Sequence, residues 1–175
     1  WLWGGVAVIA TIGGAAMFWE PLAAEKAAAP SPKSYDVEIV RDGFGVPHIN
    51  GKTDADAAYG LAFAHAEDDF STIEEVVSMT RGRYGAIAGQ DGAKVDFVFH
   101  LLGVRDTVKR RYSEVPADVR AVLDAYAAGL NHYAEKHPEE VRLSNLFPVN
   151  GKDIVAGFVL RAPLFYGLDT YIGQL

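Results

Sequence analysis

The strongest constraint on how this chain can fold is a run of apolar residues at helical spacing. Tyr59, Phe63, Ala66, Phe70, Ile73 and Val77 recur at intervals of four, three, four, three and four. An α-helix returns to the same face every ~3.6 residues, so these side chains form one stripe on one helix. Thr53-Asp54-Ala55-Asp56 precedes them, a threonine followed three residues later by an acid, which is a capping-box type of start. Further upstream, Asp42-Gly43 and Gly45 lie between Val37–Val40 and Val46–Ile49. Two short apolar runs around Asp-Gly read as a β-hairpin, because glycine reaches positive φ without steric cost. Pro47 lacks a backbone donor, so its strand lies at an edge or begins there. A hairpin feeding a long amphipathic helix is the expected spine of the core.

Thr80–Lys94 is glycine-rich and reads as a loop of tight turns. It lacks P-loop spacing, so it gives no phosphate cradle. Val95–Tyr112 reads as one helix with Phe97, Leu101 and Val104 or Val108 on one face, and Lys109, Arg110 and Arg111 at its negative end. Pro116 suits a helix start, and Val119, Leu123, Tyr126, Leu130 and Tyr133 mark a second stripe that stops before Pro138. Gly129 sits inside this helix, either as a point of close backbone approach or as a tolerated glycine. Glu139–Asn150 reads as loop. Lys152–Ala162 reads as a further apolar helix, carrying Ile154, Val155, Phe158 and Leu160 and ended by Pro163.

Trp1–Trp19 has no charge and many small residues. Its length, near the ~20 residues that span a bilayer, fits a signal-peptide core or a membrane anchor. Residues 20–34 read as a linker, with Pro30-Ser31-Pro32 resisting regular structure. The globular portion is expected over residues 35–175. Half of all residues are hydrophobic, enough for a substantial core. The net charge of −7 and the lack of a long basic cluster exclude a nucleic-acid binder, which needs concentrated Lys and Arg. The chain has no cysteine, which rules out disulfide and thiol chemistry and leaves the compartment open.

No self-sufficient hydrolytic constellation is visible. No serine lies in a G-x-S-x-G elbow and no histidine pair has H-E-x-x-H spacing. His65, Asp68 and Asp69 could be imagined around a metal, but ligands from one helix do not complete a site. The plainer reading gives Asp68 and Asp69 structural polar contacts near the hairpin. His48 reads as a satisfied core or turn histidine. Arg81 and Arg83 read either as carboxylate binders or as structural ion pairs.

RDGFGVPHI followed by YGLAFAHAEDDF resembles the opening of the penicillin acylase family of N-terminal nucleophile hydrolases. Arg41, Asp42, Gly45, Pro47, His48, Ile49, Tyr59, Gly60, Ala66 and Asp68 carry the resemblance. Tyr126, Ala127, Gly129, Leu130 and Asn131 resemble the family's second long helix. TRGRYGAIAG is similar to the branch that removes acyl chains from homoserine lactones and lipopeptides.

The resemblance implies an α+β fold. A mainly helical α chain with a short β-hairpin would contribute to an αββα sandwich completed by a larger β chain from the same precursor. It implies a self-processed hydrolase of linear N-acyl amides: an acylated homoserine lactone, a lipopeptide or a β-lactam side chain. The nucleophile, an N-terminal Ser, would lie on the β chain, leaving no catalytic residue here. Export to the periplasm or beyond is implied, or membrane anchoring through residues 1–19. Phe165 and Tyr166 fall where penicillin-cleaving relatives carry an Arg-aromatic pair, so they are the expected substrate-binding residues. Asp169 is the nearest candidate for the acid with which some relatives hold a structural calcium; no cofactor is otherwise required. The competing expectation is a membrane-tethered helical interaction module without catalysis of its own.

Overall fold

The computed structural model describes residues 33–168 and 170. The expected signal or anchor, nearly all of the linker, and Asp169 lie outside the described residues. No described helix is long and apolar enough to cross a membrane.

The hairpin forms as its turn chemistry dictates. β1 (Val37–Arg41) and β2 (Pro47–Gly51) pair antiparallel, with Ile39 opposite Ile49 and Arg41 opposite Pro47. Pro47 opens its strand, where its missing donor breaks no internal ladder bond. The Asp42 side chain closes the turn by accepting from the Phe44 and Val46 amides at 2.8 and 3.0 Å.

α1 (Asp54–Thr80) follows, with the capping box complete: Asp56 N–H donates to Thr53 Oγ1, and the Asp56 carboxylate accepts from Thr53 N–H. Ala66, Phe70 and Val77 of the expected stripe are buried, and Phe63 and Ile73 pack against them. The helix bends once, at Asp69 (φ −159°, ψ 72°), whose side chain accepts from Thr72 N–H at 3.1 Å and so caps a fresh helical start. The stripe keeps its phase across the bend.

The glycine-rich segment departs from the loop expected. Only its beginning is a turn, and α2 (Gly85–Leu101) starts inside it. The Asp96 carboxylate accepts from the Tyr84 and Gly85 amides at 2.7 and 2.8 Å, a cap supplied from eleven and twelve residues away. The chain turns back at Gly89 (φ 61°, ψ −134°), a backbone geometry that disfavours a Cβ, and this brings Asp96 within reach.

The single helix expected over Val95–Tyr112 is also corrected. It is the end of α2 plus a separate α3 (Val104–Arg111), divided at Gly103 (φ 59°). The break changes which residues face inward. Phe99, Val104 and Val108 are buried, whereas Phe97 and Leu101 are 60% and 65% exposed.

α4 (Ala117–Lys136) follows Pro116 and stops before Pro138. Leu130 and Tyr133 are buried as expected, but Val119, at the head of its stripe, is exposed. α4 lies against the first half of α1. Gly129 is the point of closest approach: a Cβ there would meet the Tyr59 carbonyl oxygen and lie 2.8 Å from Ala62 Cβ. The segment between α4 and the last helix holds two 3₁₀ turns, Pro138–Glu140 and Ser144–Leu146.

α5 (Gly151–Phe165) runs past Pro163, which lies inside it and does not end it. α5 has two working faces. Ile154 packs on the main core built by α1 and α4. Val155, Ala156, Val159 and Leu160 pack with Phe99, Val104 and Val108 into a second core.

Candidate functional site

The second half of α1, the middle of α4 and one face of α5 enclose an open groove of about 640 Å³. Pockets of roughly 300–1,000 Å³ suit small-molecule ligands. α1 supplies Ile73, Val76 and Val77, and α4 supplies Tyr126 and Leu130. From α5 come Ile154, Gly157, Phe158, Arg161 and Phe165, which recur at helical spacing. The walls are overwhelmingly apolar.

Two charged residues lie in the wall. Asp153 is committed: Arg81 grips it in a bidentate pair, Nε to Oδ1 at 3.0 Å and Nη2 to Oδ2 at 2.8 Å. Arg81 also donates to the Pro148 carbonyl at 2.9 Å and is itself buried. So Arg81 is a structural ion pair, locking the start of α5 to the end of α1. The Arg161 guanidinium lies 5.8 Å from the Phe165 ring centre, within cation–π range, at the far end of the groove. Tyr126 is wedged into the wall and burial pushes its phenol pKa up; His65 Nδ1 is 3.0 Å from its hydroxyl.

Of the two expected substrate-binding residues, Phe165 lines the groove and Tyr166 does not. They are 78% and 90% exposed. Phe158, which opens the helix-and-turn stretch Phe158–Tyr166 that the resemblance implies walls the acyl pocket, also lines the groove and is 70% exposed. The signal was present: Phe158, Ala162 and Phe165 share one stripe at intervals of four and three.

The imagined metal set does not assemble. His65 is turned to Tyr126, Asp68 pairs with Arg41 at 2.8 Å, and Asp69 caps Thr72. Among the described residues one group has metal-ligand spacing, His137, Glu139 and Glu140, which sequence reasoning missed. His137 Nδ1 lies 3.6 and 3.7 Å from the two carboxylates, which are exposed, and the Tyr133 hydroxyl donates to Glu140 at 3.2 Å. His48 is neither a core nor a turn residue: it lies on β2 opposite Val40, exposed, with Nε2 3.2 Å from Asp42 Oδ2. Backbone donation from Phe44, then His48, holds the Asp42 carboxyl below the usual carboxylate range.

The Arg41–Ile49 and Tyr59–Asp68 motifs form one mechanical unit. Arg41 reaches from the hairpin to Glu67 at 3.0 Å and Asp68 at 2.8 Å, and to the Gly45 carbonyl at 2.8 Å. Gly60 lets the hairpin side chains of Val37 and Ile49 sit directly on α1. The Tyr59 hydroxyl is bonded to His132 of α4, and the ring stacks on Tyr35. Among the described residues no serine hydroxyl is bonded to a histidine; Ser78, for example, donates to the Glu75 carbonyl. The groove's lining suits apolar groups, the two motifs build a scaffold, and the described residues hold no nucleophile-base pair.

A family model described as penicillin amidase matches residues 36–161. The penicillin acylase 2 proenzyme of Pseudomonas sp. (strain SE83) is 33% identical over 100 residues, covering 57% of this chain and 13% of that protein. The acyl-homoserine lactone acylase PvdQ of Pseudomonas syringae pv. tomato is 29% identical over 118 residues, 63% of this chain and 15% of its own length. The chain thus spans only a small part of the curated relatives it matches. A thermostable penicillin G acylase from Alcaligenes faecalis superposes with a TM-score of 0.60 at 25% identity, covering 73% of this chain and 72% of the solved one.

Proposed function

Since the chain belongs to the penicillin amidase family, we propose that it is the smaller, α-chain part of a self-processed N-acyl amide hydrolase. The observation that carries this reading is the family match over residues 36–161, which takes in both linked motifs and the groove-forming helices up to Arg161. The curated relatives are named as acylases acting on penicillin or acyl-homoserine lactones, and one is named as a proenzyme. The whole activity assigned here requires a larger β chain, which would complete an αββα sandwich around the hairpin and helices. Residues 1–19 would direct export or hold the chain at a membrane, and 20–34 would link them to the acylase portion.

In this reading an N-terminal Ser on the β chain attacks the acyl carbonyl through Oγ, and its own α-amino group takes the proton. As the tetrahedral oxyanion collapses the α-ammonium returns that proton to the amide nitrogen, the C–N bond breaks, the amine leaves, and an acyl ester remains for water to hydrolyse. This chain binds and shapes the acyl group. Phe165 and Phe158 supply apolar wall, and Tyr166 stands beside them facing the β chain. Phe165 replaces a cation found in penicillin-cleaving relatives, which favours an apolar acyl chain over contact with a substrate carboxylate. A structural calcium held partly by Asp169 belongs to the same proposal.

The test is to express the chain together with the coding sequence that follows it in its gene, and to purify through a tag on this chain. The expected result is a stable larger partner beginning with Ser, and release of amine from acyl-homoserine lactones or penicillins. No such partner, or hydrolysis by residues 35–175 alone, would overturn the reading.

A further inference from the structure

We propose that the outer face of α3, with the exposed end of α2 beside it, docks on an anionic lipid surface. The first observation is charge. Arg105, Lys109 and Arg110 are all on α3 and make no ion pair among the described residues. Six cations elsewhere, Arg41, Lys52, Arg81, Lys94, Arg111 and Arg142, each hold a carboxylate, and Lys136, Lys152 and Arg161 are scattered singly over other helices. In a chain of net charge −7, three unpaired cations on one eight-residue helix run against the overall sign. Val104 and Val108 turn inward, which leaves Arg105 and Lys109, one turn apart, on the outer side.

The second observation is apolar. Phe97 and Leu101 are one turn apart at the end of α2, and both are largely exposed, while Phe99 between them is fully buried. Only Leu102, Gly103 and Val104 separate this pair from the first of the cations. A protein surface complements both only if it sets acids and an apolar spot at this same spacing. A lipid interface takes both: headgroup phosphates meet Arg and Lys, and the boundary just below accepts Phe and Leu.

The surface is independent of the groove. α3 packs on Val155, Ala156 and Val159 of α5, whereas the groove uses Ile154, Phe158 and Arg161 of the same helix. One helix separates the two, so both can be occupied together, and failure of the acylase reading leaves this proposal standing.

The test uses the full chain, with any larger chain that co-purifies. Binding to vesicles of mixed phosphatidylglycerol and phosphatidylcholine is compared with binding to phosphatidylcholine alone. Residues 1–19 are common to every sample, so the comparison between variants isolates α3. A cation near an anionic surface strengthens binding about fivefold, so losing three is worth on the order of a hundredfold, and R105E/K109E/R110E, which also adds three negative charges, is expected to weaken binding to the anionic vesicles by at least that much. Wild-type binding should fall with added salt, and binding to phosphatidylcholine should not differ between wild type and variant. F97S/L101S should weaken anionic-vesicle binding and keep its salt dependence. K109Q/R110Q serves as a milder second variant should the charge reversal disturb folding, checked by circular dichroism. Unchanged affinity of the charge variants overturns the proposal. So does equal wild-type binding to both vesicle types, or α3 amides already protected from exchange by a protein partner before vesicles are added.

Discussion

Asp56 accepts three hydrogen bonds, from Asp36 N–H at 2.9 Å, Thr53 N–H at 3.0 Å and Thr53 Oγ1 at 2.7 Å. The Asp36 amide first, then Thr53, lower its pKa below the usual carboxylate value. A carboxylate with a lowered folded-state pKa contributes stability that is present above its unfolded pKa of about 3.9 and is lost as pH falls through the folded value. Asp56→Asn is therefore expected to destabilise the chain at pH 7, with the difference from wild type shrinking as pH drops below about 4. Urea melts of the two proteins across that range are the check; a penalty independent of pH would show that the charge is not what matters. Arg81 and Asp153 make a different case, because both are largely out of solvent, with side chains 6% and 14% exposed. Asp153→Ala leaves the Arg81 guanidinium buried without its carboxylate, and breaking such a pair from one side costs about 3–5 kcal/mol. Chemical denaturation should report a loss of that order. A loss under about 1 kcal/mol, the size seen for solvated pairs, would mean water reaches the guanidinium.

Among the elements, α5 is where the proposed chemistry can be probed. Phe165→Ala should shift the acyl-length preference of the assembled enzyme more than Tyr166→Ala does, because Phe165 lines the groove and Tyr166 does not. Neither change should impair maturation, and kcat/KM across a series of acyl lengths decides it; a flat response to Phe165→Ala would remove it from the acyl site. The sequence made β1, β2, α1 and α4 readable because each rests on local chemistry: Asp-Gly turn, Thr53–Asp56 cap, stripes of constant period, Pro116 and Pro138 as brackets. α2 was hidden because its cap comes from Asp96, across a chain reversal that no local pattern announces. Gly103 misled the facing of this stretch, since one left-handed residue resets helical phase: Val104 and Val108 after it turn inward while Phe97 and Leu101 before it stay exposed. Arg41 was readable as a motif residue, but its grip on Glu67 and Asp68 needed three dimensions. The groove was half legible: Phe165 was found through the resemblance, whereas Val76 and Tyr126 belong to it only because α1, α4 and α5 meet there.

For the molecule as a whole, large apolar side chains remain in solvent: Phe44 at the hairpin tip is 96% exposed, and Phe158, Phe165 and Tyr166 stand out along the last helix. Monomeric proteins rarely leave such surface uncovered over a wide area. Residues 35–175 made alone are therefore expected to self-associate, with light scattering and ultracentrifugation as the measurements; a monodisperse monomer that melts cooperatively would contradict this. The two faces of α5 carry a further consequence. Val155, Ala156, Val159 and Leu160 are spoken for by the second core, and Asp153 by Arg81. Positions 158, 161 and 165 border open space. Descendants of this chain can therefore exchange bulk at those three sites, trading one guest for another, while the helix that displays them stays bolted down from behind.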